Sequence, residues 1–240
     1  MDKTVPAGAA LLLDFIGQTE APKGYDTVYG NNQDKLAQPL TTMALSAVLA
    51  AQPSWTKRFG SSAAGRYQFM KATLDGLVEE LKLKPTQKLD ANLQDRLAYH
   101  LLKRRGYEAF MAGTISRTEF GKRLAQEWAS FPVLTATTGQ KRKVERGQSY
   151  YAGDGLNKAL VKPEKVEAVL DQVKAAGSFA AAPTILPPET TPVPPRAPID
   201  WGDATAITQS GATLEKPPVA AAPAGWLARF WSGLKNALGG

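Results

Sequence analysis

The chain has 240 residues, a formal net charge of +7 and no cysteine. That length allows one domain of ordinary size plus an appendage, and the missing cysteines exclude a disulfide framework or a thiolate metal site. The one histidine, His100, cannot build a zinc centre alone, so neither a metal nor a cofactor is expected.

Leu12, Phe15, Ile16 and Thr19 fall at helical spacing and predict a helix over 9–20 that ends on Glu20. Pro22 and Gly24 break it. Tyr25 to Tyr29 has the composition of a strand, and Gly30-Asn31-Asn32 reads as a turn. A hairpin there would set Asp26 across from Glu20. Thr41 or Thr42 caps a predicted helix that Pro53 stops. Ser61-Ser62 caps another, starting near Ala63 and carrying Gly65, Tyr67 and Gln68. At Gly65 the small residue admits either a ligand or a neighbouring helix. Helical spacing continues through Leu74, Leu77, Val78 and Leu81, and again from Leu93 to Arg105, where Gly106 stands in the C-cap position. His100 is read as an ordinary residue of that helix. Ser116-Arg117-Thr118-Glu119 is a capping box, followed by Phe120, Leu124 and Trp128 at spacing four, a stripe read as core. Pro163 at a first helical position opens the last helix of the body, with Val166, Val169, Leu170 and Val173 inward and Gly177 after it. The expected fold class is therefore α+β, mostly helical, with one small β-hairpin.

After residue 179 the composition changes. Ten of the seventeen prolines lie in the last 61 residues, which predicts an extended linker over 180–222. Within 223–240, Leu227, Phe230, Trp231, Leu234 and Leu238 share one helical face. With two tryptophans and two cations, this reads as an amphipathic helix able to contact a membrane surface or to fold onto a protein. Three units are thus expected: a body over 1–179, the linker and the terminal helix.

The excess positive charge lies in the body, since residues 180–240 hold four cations against four carboxylates. A basic body favours polyanionic partners. Nucleic acid is not the expected partner, because Lys103-Arg104-Arg105 and Lys141-Arg142-Lys143 lack interleaved aromatics. An anionic cell wall fits the same charge. Asp14 interrupts the apolar run at 7–13, so a cleaved signal peptide is not expected.

Glu20 with its surroundings carries a resemblance. Gln18-Thr19-Glu20, then Gly24-Tyr25-Asp26-Thr27-Val28-Tyr29-Gly30, then Ser62-Ala63-Ala64-Gly65-Arg66-Tyr67-Gln68 resemble the phage lysozyme superfamily, in particular endolysins of the lambda type and related bacterial muramidases. Leu93-Gln94-Asp95, Glu127-Trp128-Ala129-Ser130-Phe131-Pro132 and Ser149-Tyr150-Tyr151-Ala152-Gly153 follow in the family's order. The resemblance implies a lysozyme-like fold in which Gly-Arg-Tyr-Gln opens a core helix. It implies peptidoglycan as substrate, with Glu20 the acid that protonates the oxygen between MurNAc and GlcNAc. Tyr25, Thr27, Gly65, Tyr67 and Gln68 would line the substrate site. Tyr151 would match a sugar-binding tyrosine of lytic transglycosylases, although the asparagine of that family's segment is missing here. Synthesis in the cytoplasm and action in the periplasm or wall then require release by a holin, a virion or a secretion route.

A carboxyl at the end of an apolar helix suits a general acid, because desolvation raises its pKa. Two mechanisms stay open. In the first, Asp26 is the second carboxylate of a lysozyme, aided by Thr27. In the second, Glu20 acts alone and the muramyl 6-hydroxyl attacks, giving a 1,6-anhydro product, as in lytic transglycosylases. A non-catalytic module that binds wall or membrane is the alternative of another class.

Overall fold

The computed structural model describes residues 1–155 and 157–180. Its helices are α1 (Ala7–Glu20), α2 (Leu45–Phe59), α3 (Lys71–Glu80), α4 (Ala91–Arg104), α5 (Tyr107–Met111), α6 (Arg117–Glu127) and α7 (Pro163–Ala180). Among the described residues the one sheet is an antiparallel pair, β1 (Thr137–Thr138) with β2 (Lys143–Val144). The molecule is thus α+β and mostly helical. The predicted linker and the amphipathic segment over 223–240 lie outside the described residues. Among the described residues, no helix is long and apolar enough to cross a membrane.

Helix α1 organises the core. Ala9, Leu12, Leu13 and Ile16 are fully buried, and the helix packs along α7 and against α4. Gly8 permits the close crossing with α7: a Cβ there would stand 2.8 Å from the carbonyl oxygen of Val173. Phe15 meets Phe131 edge-on, with ring centroids 5.6 Å apart. That contact ties the last turns of α1 to the loop that follows α6.

The caps explain several boundaries. The Asp90 carboxylate accepts from the amide of Leu93 and starts α4 two residues before the apolar pattern suggests. The Ser116 hydroxyl accepts from the amide of Glu119 and starts α6. Gly106, at φ +91°, follows α4 in the left-handed conformation expected of a C-cap glycine. Pro163 is the first residue of α7, which runs through Gly177 to Ala180. Trp128 is buried in the core.

Three expectations fail for local reasons. Tyr25 to Asn32 is not a hairpin. Val28 bridges Ala64 instead of its own return strand, and Gly30 at φ 68° turns the chain into successive 3₁₀ turns at Tyr29–Asn31 and Gln33–Lys35. Residues 63–70 are not a helix. Ala64 and Phe69 exchange both backbone hydrogen bonds across a tight loop, with Gly65 at φ +79° and Gln68 at φ +52°. The hydroxyl of Ser62 instead accepts from the amide of Lys71, the first residue of α3. Helix α2 passes through Pro53 and lacks a side-chain cap. Thr41 and Thr42 lie in a 3₁₀ turn before it. Burial of Leu45, Val48, Gln52 and Trp55 outweighs the cost of an internal proline, about 3 kcal/mol.

Candidate active site

Glu20 is the last residue of α1. It is only partly exposed, and burial of its carboxyl pushes the pKa up to about 7, with the hydroxyl of Ser130 opposing the shift. Ser130 donates to Oε1 of Glu20. No cation figures among the groups that perturb this carboxyl, so desolvation prevails. A carboxyl poised near neutral pH can hold a proton before a reaction and release it during one.

Ser130 comes from the loop after α6, which backbone and side-chain bonds hold in place. Leu160 donates its amide to the carbonyl of Ser130 at 2.7 Å. The hydroxyl of Ser149 donates to the carbonyl of Ala129 at 2.8 Å. Val133 donates its amide to the carbonyl of Gln148 at 2.8 Å. Tyr151, buried, donates its hydroxyl to the carbonyl of Gln126 at 2.6 Å. Tyr151 is thus tied to the last turn of α6, which leads into the loop that holds Ser130.

The loop following Glu20 is held by bonds of its own. Gly24 donates to the carbonyl of Ala21, and Thr27 donates both its amide and its hydroxyl to the carbonyl of Gly24. Asp26 lies between them, and its Oδ1 accepts from the amide of Thr41 at 2.8 Å. The amide of Gly65 then donates to the carbonyl of Thr27 at 2.8 Å.

Gly65 is needed where it stands. Its left-handed φ disfavours a side chain, and a Cβ would meet Oε1 of Gln94 at 2.4 Å. That oxygen accepts from the amide of Arg66, and the amide nitrogen of Gln94 donates to the carbonyls of Tyr25 and Leu89. Gln68 donates to the carbonyl of Gly65. Gln52 of α2 donates to the carbonyls of Ser62 and Phe69.

Tyr25 and Tyr67 converge on Asp95, which is fully buried. Oδ1 of Asp95 accepts from the Tyr67 hydroxyl at 2.6 Å and from the Tyr25 hydroxyl at 3.0 Å, while Oδ2 accepts from the amide of Asp2 at 2.7 Å. Burial, then the Asp95 charge, raises the pKa of both phenols. Arg66 lies over the Tyr25 ring, bonds Asp14 at 2.9 Å and rests on Gly17, one turn before Glu20.

The structure therefore joins Tyr25 to Tyr67, Thr27 to Gly65 and Gly65 to Gln68. Glu20 bonds to Ser130, and Asp26 to Thr41. The framework residues missed as site members are Ser130, Gln94, Asp95 and Arg66. Each stands in one of the family-like strings, and that is their only signal in the sequence. Among the described residues, no group of three His, Cys, Asp or Glu converges as a metal site.

A family model described as Endolysin matches residues 15–156, a span that holds Glu20, the 62–70 loop, Asp95 and Ser130. No curated protein and no solved structure matches the chain. The match covers more than half of the 240 residues, and the chain belongs to the Endolysin family, phage enzymes that degrade peptidoglycan.

Proposed function

We propose that the chain cleaves the β-1,4 bond between MurNAc and GlcNAc in the glycan strand, with Glu20 as general acid. The observation that carries this reading is the carboxyl at the end of α1, raised to about 7 by burial and bonded by Ser130. A group of that pKa is substantially protonated at neutral pH, where an ordinary glutamic acid is ionised. The likeness to the family supports Tyr25, Thr27, Gly65, Tyr67, Gln68 and Tyr151 as the residues that contact the glycan strand.

In the hydrolytic form of this reading, Asp26 orients water or stabilises the oxocarbenium-like state. The bond from Thr41 to Asp26 supports the other form, in which Asp26 tethers a loop, Glu20 acts alone and the muramyl 6-hydroxyl attacks. Glu20 is then acid in the first half of the reaction and base in the second. Membrane contact through residues 223–240, inferred from their apolar face, would be an accessory role.

Glu20→Gln keeps the shape and removes the transferable proton. Muropeptide release from purified peptidoglycan should fall by about 10²–10⁴-fold, and release at the wild-type rate would end this reading. Asp26→Asn and product mass separate the two forms. Products lighter by one water, with Asp26→Asn active, identify the transglycosylase. Hydrated products with Asp26→Asn inactive identify the hydrolase.

A further inference from the structure

We infer that Ser130 is a positioning residue that assigns the transferred proton to Oε2 of Glu20. The inference rests on Glu20 being the general acid. It adds which carboxyl oxygen does the work and what enforces the choice.

Ser130 is fully buried, and its hydroxyl bonds to Oε1 of Glu20. Among the described residues the hydroxyl has no second side-chain or backbone partner, and Oε2 of Glu20 has none at all. A protonated carboxyl has two possible microstates here. With the proton on Oε1, Glu20 would donate to Ser130, whose own hydrogen would then be left unpaired inside the protein. Burying an unsatisfied donor is costly. With the proton on Oε2, Ser130 donates to Oε1 and every hydrogen at the buried end is used. The second microstate wins, and the acid proton sits on the oxygen that no protein group occupies.

The same bond serves both halves of the reaction. Oε2 gives its proton to the glycosidic oxygen while the bond from that oxygen to the anomeric carbon breaks, its electron pair passing to the oxygen. The carboxylate left behind keeps the Ser130 hydrogen bond, which stabilises the new charge. Oε2 then takes the proton of the attacking hydroxyl as the bond to the anomeric carbon forms, and the enzyme returns to its starting state. The carbonyl of Ser130 is held by Leu160, and its neighbour Ala129 by Ser149. The backbone that carries the donor is therefore held in place, with the hydroxyl set against Oε1.

The test is the pH dependence of kcat and KM on purified peptidoglycan for the wild type, Ser130→Ala, Ser130→Cys and Glu20→Gln, with thermal melts as a folding control. Loss of the donor withdraws stabilisation from the carboxylate and leaves its proton on either oxygen. Ser130→Ala should lower kcat about tenfold, leave KM within about twofold, and move the alkaline limb of kcat/KM upward by about one pH unit. Ser130→Cys, a weak donor of similar size, should fall between and carries the test if the alanine variant does not fold. A limb that stays in place overturns the inference, whether kcat is unchanged or lowered, because a purely structural role moves no pKa. Wild-type activity in Glu20→Gln would overturn the general-acid reading itself, a result distinct from either outcome at Ser130.

Discussion

In the proposed mechanism the carboxyl of Glu20 couples catalysis to stability, and Glu20→Gln exposes the coupling. A glutamic acid titrates near 4.5 in the unfolded chain and at about 7 in the folded one. Between those values the folded state keeps a proton that the unfolded state has released. Stability therefore falls as pH rises through that window and stays low above it. The rise in pKa corresponds to about 3 kcal/mol. Glutamine does not titrate, and its side-chain oxygen can still accept from Ser130. Urea unfolding of both proteins at pH 4, 5.5, 7 and 8.5 gives the difference in unfolding free energy. The advantage of Glu20→Gln over the wild type should be about 3 kcal/mol larger at pH 8.5 than at pH 4. Groups common to both proteins cancel in that difference. A difference that does not change with pH would mean that the acid is solvated and ordinary, and the desolvation argument would fail.

Other consequences are simpler to check. Gly65→Ala places a Cβ 2.4 Å from Oε1 of Gln94 at φ +79°; destabilisation of about 2 kcal/mol is expected, seen as a drop of about 4–8 °C in the thermal melt. Pro53 is an exposed residue inside α2, and Pro53→Ala restores a helical amide, so a gain of about 1–3 kcal/mol in chemical denaturation is expected. A chain ending at residue 180 should keep its clearing zone in a peptidoglycan zymogram, since Glu20, Ser130 and the loops that hold them all precede that point. The apolar face expected from the sequence over 223–240 leads to a further expectation: the full chain releases dye from anionic vesicles, and the shortened chain does not.

What could be read from the residues depended on whether the signal was local. Helices α4, α6 and α7 carry both an apolar stripe and a cap or start residue in Gly106, Ser116 and Pro163, and all three form there, although α4 starts two residues early and α7 runs past Gly177. The 61–70 segment misleads because Ala63, Ala64 and Tyr67 suit a helix. Its actual shape depends on left-handed Gly65 and Gln68, and on Gln52 and Gln94 reaching in from α2 and α4. Tyr25 to Tyr29 does contain an extended stretch at Val28, but its partner is Ala64, too distant in sequence for turn chemistry to reveal. Pro53 reads as a stop because a local rule ignores the burial of Trp55 beyond it. The sheet at Thr137–Val144 is two residues wide on each side and leaves no alternation to find. Glu20 was legible as a carboxyl ending an apolar helix. Ser130, 110 residues away, was not, since a serine in a loop carries no mark of the side chain it will meet.

The most direct measurement is the ¹³C titration of the Glu20 carboxyl in the folded wild-type protein, set beside the alkaline limb of kcat/KM. Both should report a value of about 7, and the resonance should be missing in Glu20→Gln. A carboxyl that titrates near 4.5, with activity persisting well above that pH, would contradict the account.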